Sequence, residues 1–107
     1  MTQLIELRTT TASKEDALRI AHALVEQRLA ACVQIDGPIE SVYRWQGSVE
    51  SAQEWHVTAK TSKTLLQRIS AAIQQMHSYE CPELIATEII GGSEAYLNWL
   101  RQQLDER

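Results

Sequence analysis

The stretch Cys32–Lys60, CVQIDGPIESVYRWQGSVESAQEWHVTAK, decides the fold. It consists largely of residues that favour β-strands, and its main interruption is Gln46-Gly47. The pattern predicts one long β-hairpin, with Cys32–Gln46 as the first arm and Ser48–Lys60 as the second. At about 3.3 Å per residue, each arm would reach about 45 Å.

These arms are longer than a domain of 107 residues needs, because strands in such domains usually measure about 17–20 Å. The distal half of the hairpin therefore has no expected partner within its own chain. It carries Tyr43, Trp45 and Trp55, and large aromatic side chains are unfavourable to leave in water. We expect the hairpin to pack on other copies of the chain, as in an obligate oligomer whose binding sites lie between subunits.

Helices and strands are predicted on both sides of the hairpin. Residues 3–10 read as a strand, and Ser13 with Asp16 three positions later predicts the capped start of an amphipathic helix over about 14–29. Within the hairpin, Asp36-Gly37-Pro38 predicts a bulge or bend, since proline cannot donate to a ladder.

After the hairpin, an apolar stripe from Leu65 to Met76 predicts a second helix, which Thr61 or Ser62 could cap. A strand is expected over Glu83–Ile90, and Ser93 is expected to cap a short C-terminal helix. The order β-α-β-β-α-β predicts an α+β, ferredoxin-like fold. In that fold both helices cover one face of a four-stranded antiparallel sheet. We expect one domain over residues 1–107.

Composition and charge argue against several classes of protein. The formal net charge is −4 and the ten basic residues are dispersed, so a nucleic-acid partner is not expected. No run of about eighteen apolar residues predicts a membrane helix, and the N-terminal residues do not resemble a signal peptide. We expect a cytoplasmic protein with reduced cysteines. No catalytic motif is present, and we do not expect an enzyme.

Two groups of residues are candidates for a site. His77 lies in a predicted loop close to Cys81, and such side chains can hold copper or zinc; the alternative is a surface histidine beside a buried thiol. Cys32 reads as a core thiol, although oligomer symmetry could bring several copies of one ligand together. Lys60 and Glu83 could frame a polar ligand, or they could form an ordinary salt bridge.

Several segments together resemble the CutA family of divalent-cation tolerance proteins. They occur in the family's order and extend from about residue 3 to residue 104. The matching segments are Leu29-Ala30-Ala31-Cys32-Val33, Ser41-Val42-Tyr43-Arg44-Trp45-Gln46-Gly47, Lys60-Thr61, His77-Ser78-Tyr79-Glu80-Cys81-Pro82-Glu83 and Tyr96-Leu97-Asn98-Trp99-Leu100.

The resemblance implies a ferredoxin-like subunit in a tight homotrimer whose long hairpins clasp neighbouring subunits. It implies a role in tolerance to copper or another divalent cation, with His77 as a metal ligand and Cys32 or Cys81 as further candidates. The chain departs from members with proposed copper ligands, because Thr9 and Met76 stand where those members carry a cysteine and a second histidine. Methionine can still bind Cu(I).

The resemblance also implies an architecture similar to that of the PII signalling proteins, which bind small effectors in clefts between subunits. A second hypothesis is therefore a PII-like sensor or scaffold. Its intersubunit cleft would be lined by Lys60, Tyr43, Trp45 and Glu83.

Overall fold

A computed structural model describes residues 2–106 of the chain. Residues 1 and 107, the ends of the predicted single domain, lie outside the described part. The strands are β1 (Leu4–Thr11), β2 (Cys32–Trp45), β3 (Ser48–Ser62) and β4 (Ile85–Glu88). The helices are α1 (Lys14–Glu26), α2 (Leu66–Met76) and α3 (Glu94–Gln103), and a 3-10 turn (Lys63–Leu65) precedes α2.

The four strands form one sheet in the order β2-β3-β1-β4, and each neighbouring pair is antiparallel. β1 and β3 are paired from Leu4 opposite Ser62 to Thr11 opposite Trp55. The predicted ferredoxin-like α+β fold is confirmed, including its C-terminal helix.

The core lies between one face of this sheet and the helices α1 and α2. Buried side chains from the sheet and from both helices meet there, among them Leu7, Val57, Ile20, Leu24 and Ile69. Their exposed fractions are 2% or less. Burying an aliphatic side chain of this size stabilises the fold by about 1.5–3 kcal/mol, so this layer fixes how the helices lie on the sheet.

The C-terminal boundary of α1 differs from the one predicted. Helix α1 ends at Glu26 rather than near residue 29, because Arg28 adopts a left-handed φ of 59°. The amides of Leu29 and Ala30 then bond to the carbonyl of Leu24, which closes the helix C-terminus.

The extent of α2 was predicted to within one residue, but its cap was predicted wrongly. Ser62, flanking the 3-10 turn, makes no side-chain capping bond, and both predicted caps belong to β3. The hydroxyl of Thr61 instead donates to the buried carbonyl of Leu29 at 2.6 Å. By contrast, Ser13 and Ser93 accept from the amides three residues later, as predicted for α1 and α3.

The long hairpin is present, and its register changes at the predicted bulge between Asp36 and Ile39. Gln46 and Gly47 form the turn, with φ of 50° and 83°, as a two-residue turn of type I′ requires. The chain extends over 45 × 25 × 21 Å. Between Ser48 and Glu54, the part of β3 nearest the turn, the strand pairs within residues 2–106 with β2 alone. Large side chains remain exposed there, including Trp45 at 52%.

The described helices are all too short or too polar to cross a lipid bilayer.

Candidate functional site

A groove opens between the distal hairpin and the loop that follows α2. Its volume is about 810 Å³, within the range of about 300–1,000 Å³ typical of small-molecule sites. One face of the hairpin forms the floor, with Ser41, Tyr43, Trp45, Glu50 and Glu54. The loop, Tyr79–Glu83, forms the wall.

The floor follows from the alternation of side chains along two paired strands. Tyr43 lies directly opposite Glu50, and Ser41 lies opposite Ala52. The turn at Gln46-Gly47 sets this register. Because the register is fixed, an aromatic ring and a carboxylate face the same side of the ribbon.

The wall is attached to the sheet by two side chains. The Tyr79 hydroxyl donates to Oε2 of Glu54 at 2.8 Å. Nε2 of His77 lies 2.7 Å from the carbonyl oxygen of Thr10, and Nδ1 of the same ring accepts a hydrogen bond from the Tyr79 amide at 3.0 Å. The loop is therefore held at both of its sides, on β1 and on β3.

The hydrogen bonds of His77 define its tautomer. Because the Tyr79 amide can only donate, Nδ1 carries a lone pair, and because the Thr10 carbonyl can only accept, Nε2 carries the proton. Both nitrogens of a neutral imidazole are thus in use. A metal bound to Nδ1 would displace the Tyr79 amide, and one bound to Nε2 would break the bond to β1.

The environment of Tyr79 opposes its ionisation. Burial, the hydrogen bond to Glu54 and the negative charge of that carboxylate raise the pKa of Tyr79 from 10.0 to about 12. The phenol therefore stays a donor across the neutral range and keeps the wall attached to the hairpin.

This raised pKa predicts an alkaline weakening of the fold. The phenol of Tyr79 loses its proton near pH 10 in the unfolded chain and near pH 12 in the folded chain. The stabilisation that this difference provides is therefore complete below pH 10 and is lost as the pH rises through 12. We expect the wild type to lose more unfolding free energy than Tyr79→Phe over this interval in urea titrations. Parallel pH profiles would contradict the assignment. Tyr96→Phe, on α3, is the matched control.

Of the residues predicted for the ligand cleft, Tyr43, Trp45 and Glu83 line this groove. Lys60 lies elsewhere within the subunit, where its Nζ donates to Gln34 at 2.6 Å and lies 4.0 Å from Glu6. The predicted intersubunit cleft is not tested by a single chain. Within the chain, Lys60 belongs to the exposed sheet face and not to the groove.

The three predicted metal ligands are dispersed. Cys81 is exposed and lines the groove, whereas Cys32 lies opposite Lys60 at the other end of the hairpin. Both are free thiols. Across residues 2–106 no group of three or more His, Cys, Asp and Glu side chains is arranged to hold a metal ion. Metal binding by His77, Cys32 or Cys81 remains a prediction.

Sequence reasoning missed the acidic character of the groove. Besides Glu83, its lining includes Glu50, Glu54 and Glu80. The first two could have been found, since the two-residue turn and strand alternation place them on the face of Tyr43. The contact of Tyr79 with Glu54 spans 25 positions and has no local signal.

The family described as CutA1 divalent ion tolerance protein matches residues 5–103. A divalent-cation tolerance protein CutA from Thermus thermophilus is 43% identical over 93 residues, which are 87% of this chain and 90% of that protein. The chloroplastic Protein CutA of Arabidopsis thaliana is 41% identical over 92 residues, 86% of this chain. The chain spans only 50% of that relative.

The fold agrees with this relationship. A crystal structure of CutA1 from Oryza sativa superposes with a TM-score of 0.96 at 37% identity, covering 99% of this chain and 97% of that one. The match extends through the hairpin, the groove wall and α3. The chain therefore belongs to the family of CutA1 divalent ion tolerance proteins.

Proposed function

We propose that this chain acts in tolerance to divalent cations, the role for which its Thermus relative is named, and that it binds the cation as cargo at the groove wall. The observation that carries the proposal is the position of Cys81. Its thiol is exposed in a groove that also contains four glutamates. Negative charge concentrated in a concave site raises the local concentration of cations.

Copper is the ion we propose first, because Cu(II) stands highest in the affinity order of the divalent first-row ions and a thiolate also suits its reduced form, Cu(I). Cys81 is better available for this role than His77, whose two ring nitrogens are engaged. The described residues of one subunit do not fit a resident metal centre. Water or donors from a neighbouring subunit would complete the coordination, which suits transient binding of a cargo ion.

The proposal predicts that binding depends on one thiol. Under anaerobic conditions, Cys81→Ser is expected to weaken Cu(I) and Zn(II) binding at least tenfold in competition titrations, since the hydroxyl is a poor replacement for a thiolate. Cys32→Ser, at the other end of the hairpin, is the matched control and should bind as the wild type does. His77→Ala separates the two candidate ligands. Unchanged affinity in Cys81→Ser would rule out this placement.

We also propose a non-enzymatic homotrimer in the cytoplasm. Support for the assembly comes from the distal hairpin, where Val42, Trp45 and Val49 are 52–68% exposed. Interfaces commonly bury tryptophan side chains as central contacts. Trp45→Ala is expected to weaken assembly at least tenfold, which light scattering would detect as smaller species at low micromolar concentration. An unchanged mass at every concentration would contradict the role of Trp45, and a single-chain mass for the wild type would contradict the trimer.

A PII-like sensor is the second candidate. It is favoured by the groove itself, whose size suits an organic effector better than a single ion. A thermal-shift screen of metals and metabolites distinguishes the two functions, because a ligand that binds the folded state raises the melting temperature. A rise with an organic compound and none with metals would favour the sensor.

A further inference from the structure

The C-terminal end of α2 is held by an arginine of α1. The last carbonyls of a helix have no amide partner within that helix and need another donor. Nη2 of Arg19 donates to the carbonyl oxygen of Met76, the last residue of α2, at 2.9 Å. The two residues are 57 positions apart in the sequence. This bond therefore fixes where α2 ends against α1, and with it the point at which the loop of the groove wall begins.

The guanidinium of Arg19 is itself held by the first turn of α1. Its Nη2 lies 3.4 Å from Oδ1 of Asp16, one turn earlier on the same helix. The amide of Asp16 donates to the Ser13 hydroxyl that caps α1. The pKa of Tyr79, which burial and Glu54 raise most, is raised further by the charge of Asp16. This turn of α1 therefore lies close to the wall, and it directs the guanidinium from a capped helix start.

A short path leads from this contact to Cys81. His77 is the first residue after α2, and its ring bonds to the Thr10 carbonyl on the sheet and to the Tyr79 amide. Cys81 follows two residues after that amide. The start of the loop is thus held from both layers of the subunit, by Arg19 on the helices and by His77 on the sheet. Each of these contacts joins parts of one subunit, so none of them requires the hairpin to be uncovered.

We propose that Arg19 is a positioning residue for the cation site at Cys81. By holding the end of α2, its guanidinium keeps the loop where Cys81 lines the groove. This deepens the cation-tolerance role above and rests on it. Arg19 does not touch the cation in this scheme, because its donors are directed at the Met76 carbonyl and at Asp16.

Charge and positioning predict opposite results when Arg19 is replaced. Removing a positive charge from the subunit should by itself strengthen the binding of any cation. Arg19→Met removes the charge and the hydrogen-bond donors but keeps most of the apolar length of the side chain. If Arg19 positions the loop, the same change should weaken the binding instead. The direction in which the affinity changes therefore separates the two effects.

The experiment is an anaerobic competition titration of the full chain with Cu(I). We expect Arg19→Met to bind about fivefold more weakly than the wild type, the scale of one exposed ionic hydrogen bond. Arg19→Lys keeps the charge and a donor, so it should recover part of this loss. The matched control is Arg28→Met, because Arg28 donates to the carbonyl of Gln103, the last residue of α3, at 3.2 Å. The control should bind at least as tightly as the wild type.

Hydrogen exchange of the metal-free protein provides a readout that does not involve the cation. A loop that has lost one of its attachments opens more often, so its amides exchange faster. We expect peptides covering residues 77–83 to exchange about fivefold faster in Arg19→Met and at the wild-type rate in Arg28→Met. Unchanged exchange in Arg19→Met, or the same acceleration in Arg28→Met, would overturn the proposal. Cu(I) binding by Arg19→Met that equals or exceeds that of the wild type would also overturn it.

Cys81→Ser distinguishes this proposal from the one on which it rests. If Cys81→Ser binds Cu(I) as tightly as the wild type, there is no cation site at Cys81 and both proposals are wrong. If Cys81→Ser binds weakly while Arg19→Met binds normally, the cation site is where we place it and only the role of Arg19 is wrong.

Discussion

Replacing Gly37 with alanine is expected to lower the free energy of unfolding by about 1–3 kcal/mol, the usual scale of overpacking. A Cβ at this position would lie 2.6 Å from Cδ1 and 2.8 Å from Cγ of Trp55, and 3.1 Å from the Glu54 carbonyl. The Trp55 ring cannot move far from the added Cβ, because it packs against the main core. The close approach of backbone to ring at the bulge therefore requires glycine.

The control for this prediction is Gly91→Ala. A Cβ there has no neighbouring atom within 4 Å, so the same substitution introduces no steric overlap. Urea denaturation of both variants at equal protein concentration measures the difference. Equal stability of the two would show that the bulge relaxes without loss. Because Glu54 adjoins the bulge and holds Tyr79, we also expect Gly37→Ala to loosen the groove wall.

Substituting Thr61 with valine is expected to cost about 1–3 kcal/mol, because it leaves a buried acceptor unpaired. The Thr61 side chain is fully buried, and its hydroxyl donates to the Leu29 carbonyl at 2.6 Å. Valine has nearly the same shape but no donor. The loss is therefore expected to come from the missing hydrogen bond and not from a cavity.

Thr9→Val is the matched variant with the opposite expectation. Thr9 is 1% exposed, and its hydroxyl has no hydrogen-bond partner among residues 2–106. Removing a buried group that makes no hydrogen bond should leave stability unchanged or raise it by about 1 kcal/mol. Thermal denaturation of the wild type and of both variants measures these changes in stability. A loss in Thr9→Val as large as that in Thr61→Val would show that the Thr9 hydroxyl has a partner.

The sequence predicted the fold well because its strongest signals are local. The turn at Gln46-Gly47 and the alternation around Tyr43 set the hairpin and its register, and Ser13 and Ser93 mark the starts of α1 and α3. The cap of α2 was predicted wrongly because Thr61 and Ser62, which end the buried part of β3, are residue types that also cap helices.

The site was predicted only in part, since its wall depends on contacts between distant segments. His77 was grouped with Cys81 because the two are close in sequence. In the fold, the imidazole turns to the carbonyl of Thr10, 67 positions earlier. Local spacing indicated the loop correctly. It could not indicate which atoms of the loop are already engaged.

The separation of floor and wall along the chain has a consequence during synthesis. The ribosome releases the chain from its N-terminus, so both arms, Cys32–Trp45 and Ser48–Ser62, emerge from it before Tyr79 and Cys81 emerge. Hairpins close in about 1–10 μs, whereas translation adds about 5–20 residues per second. For a second or more, Tyr43 and Trp45 then lie on a closed hairpin that still lacks the groove wall. The wall can therefore dock only onto a hairpin that has already formed.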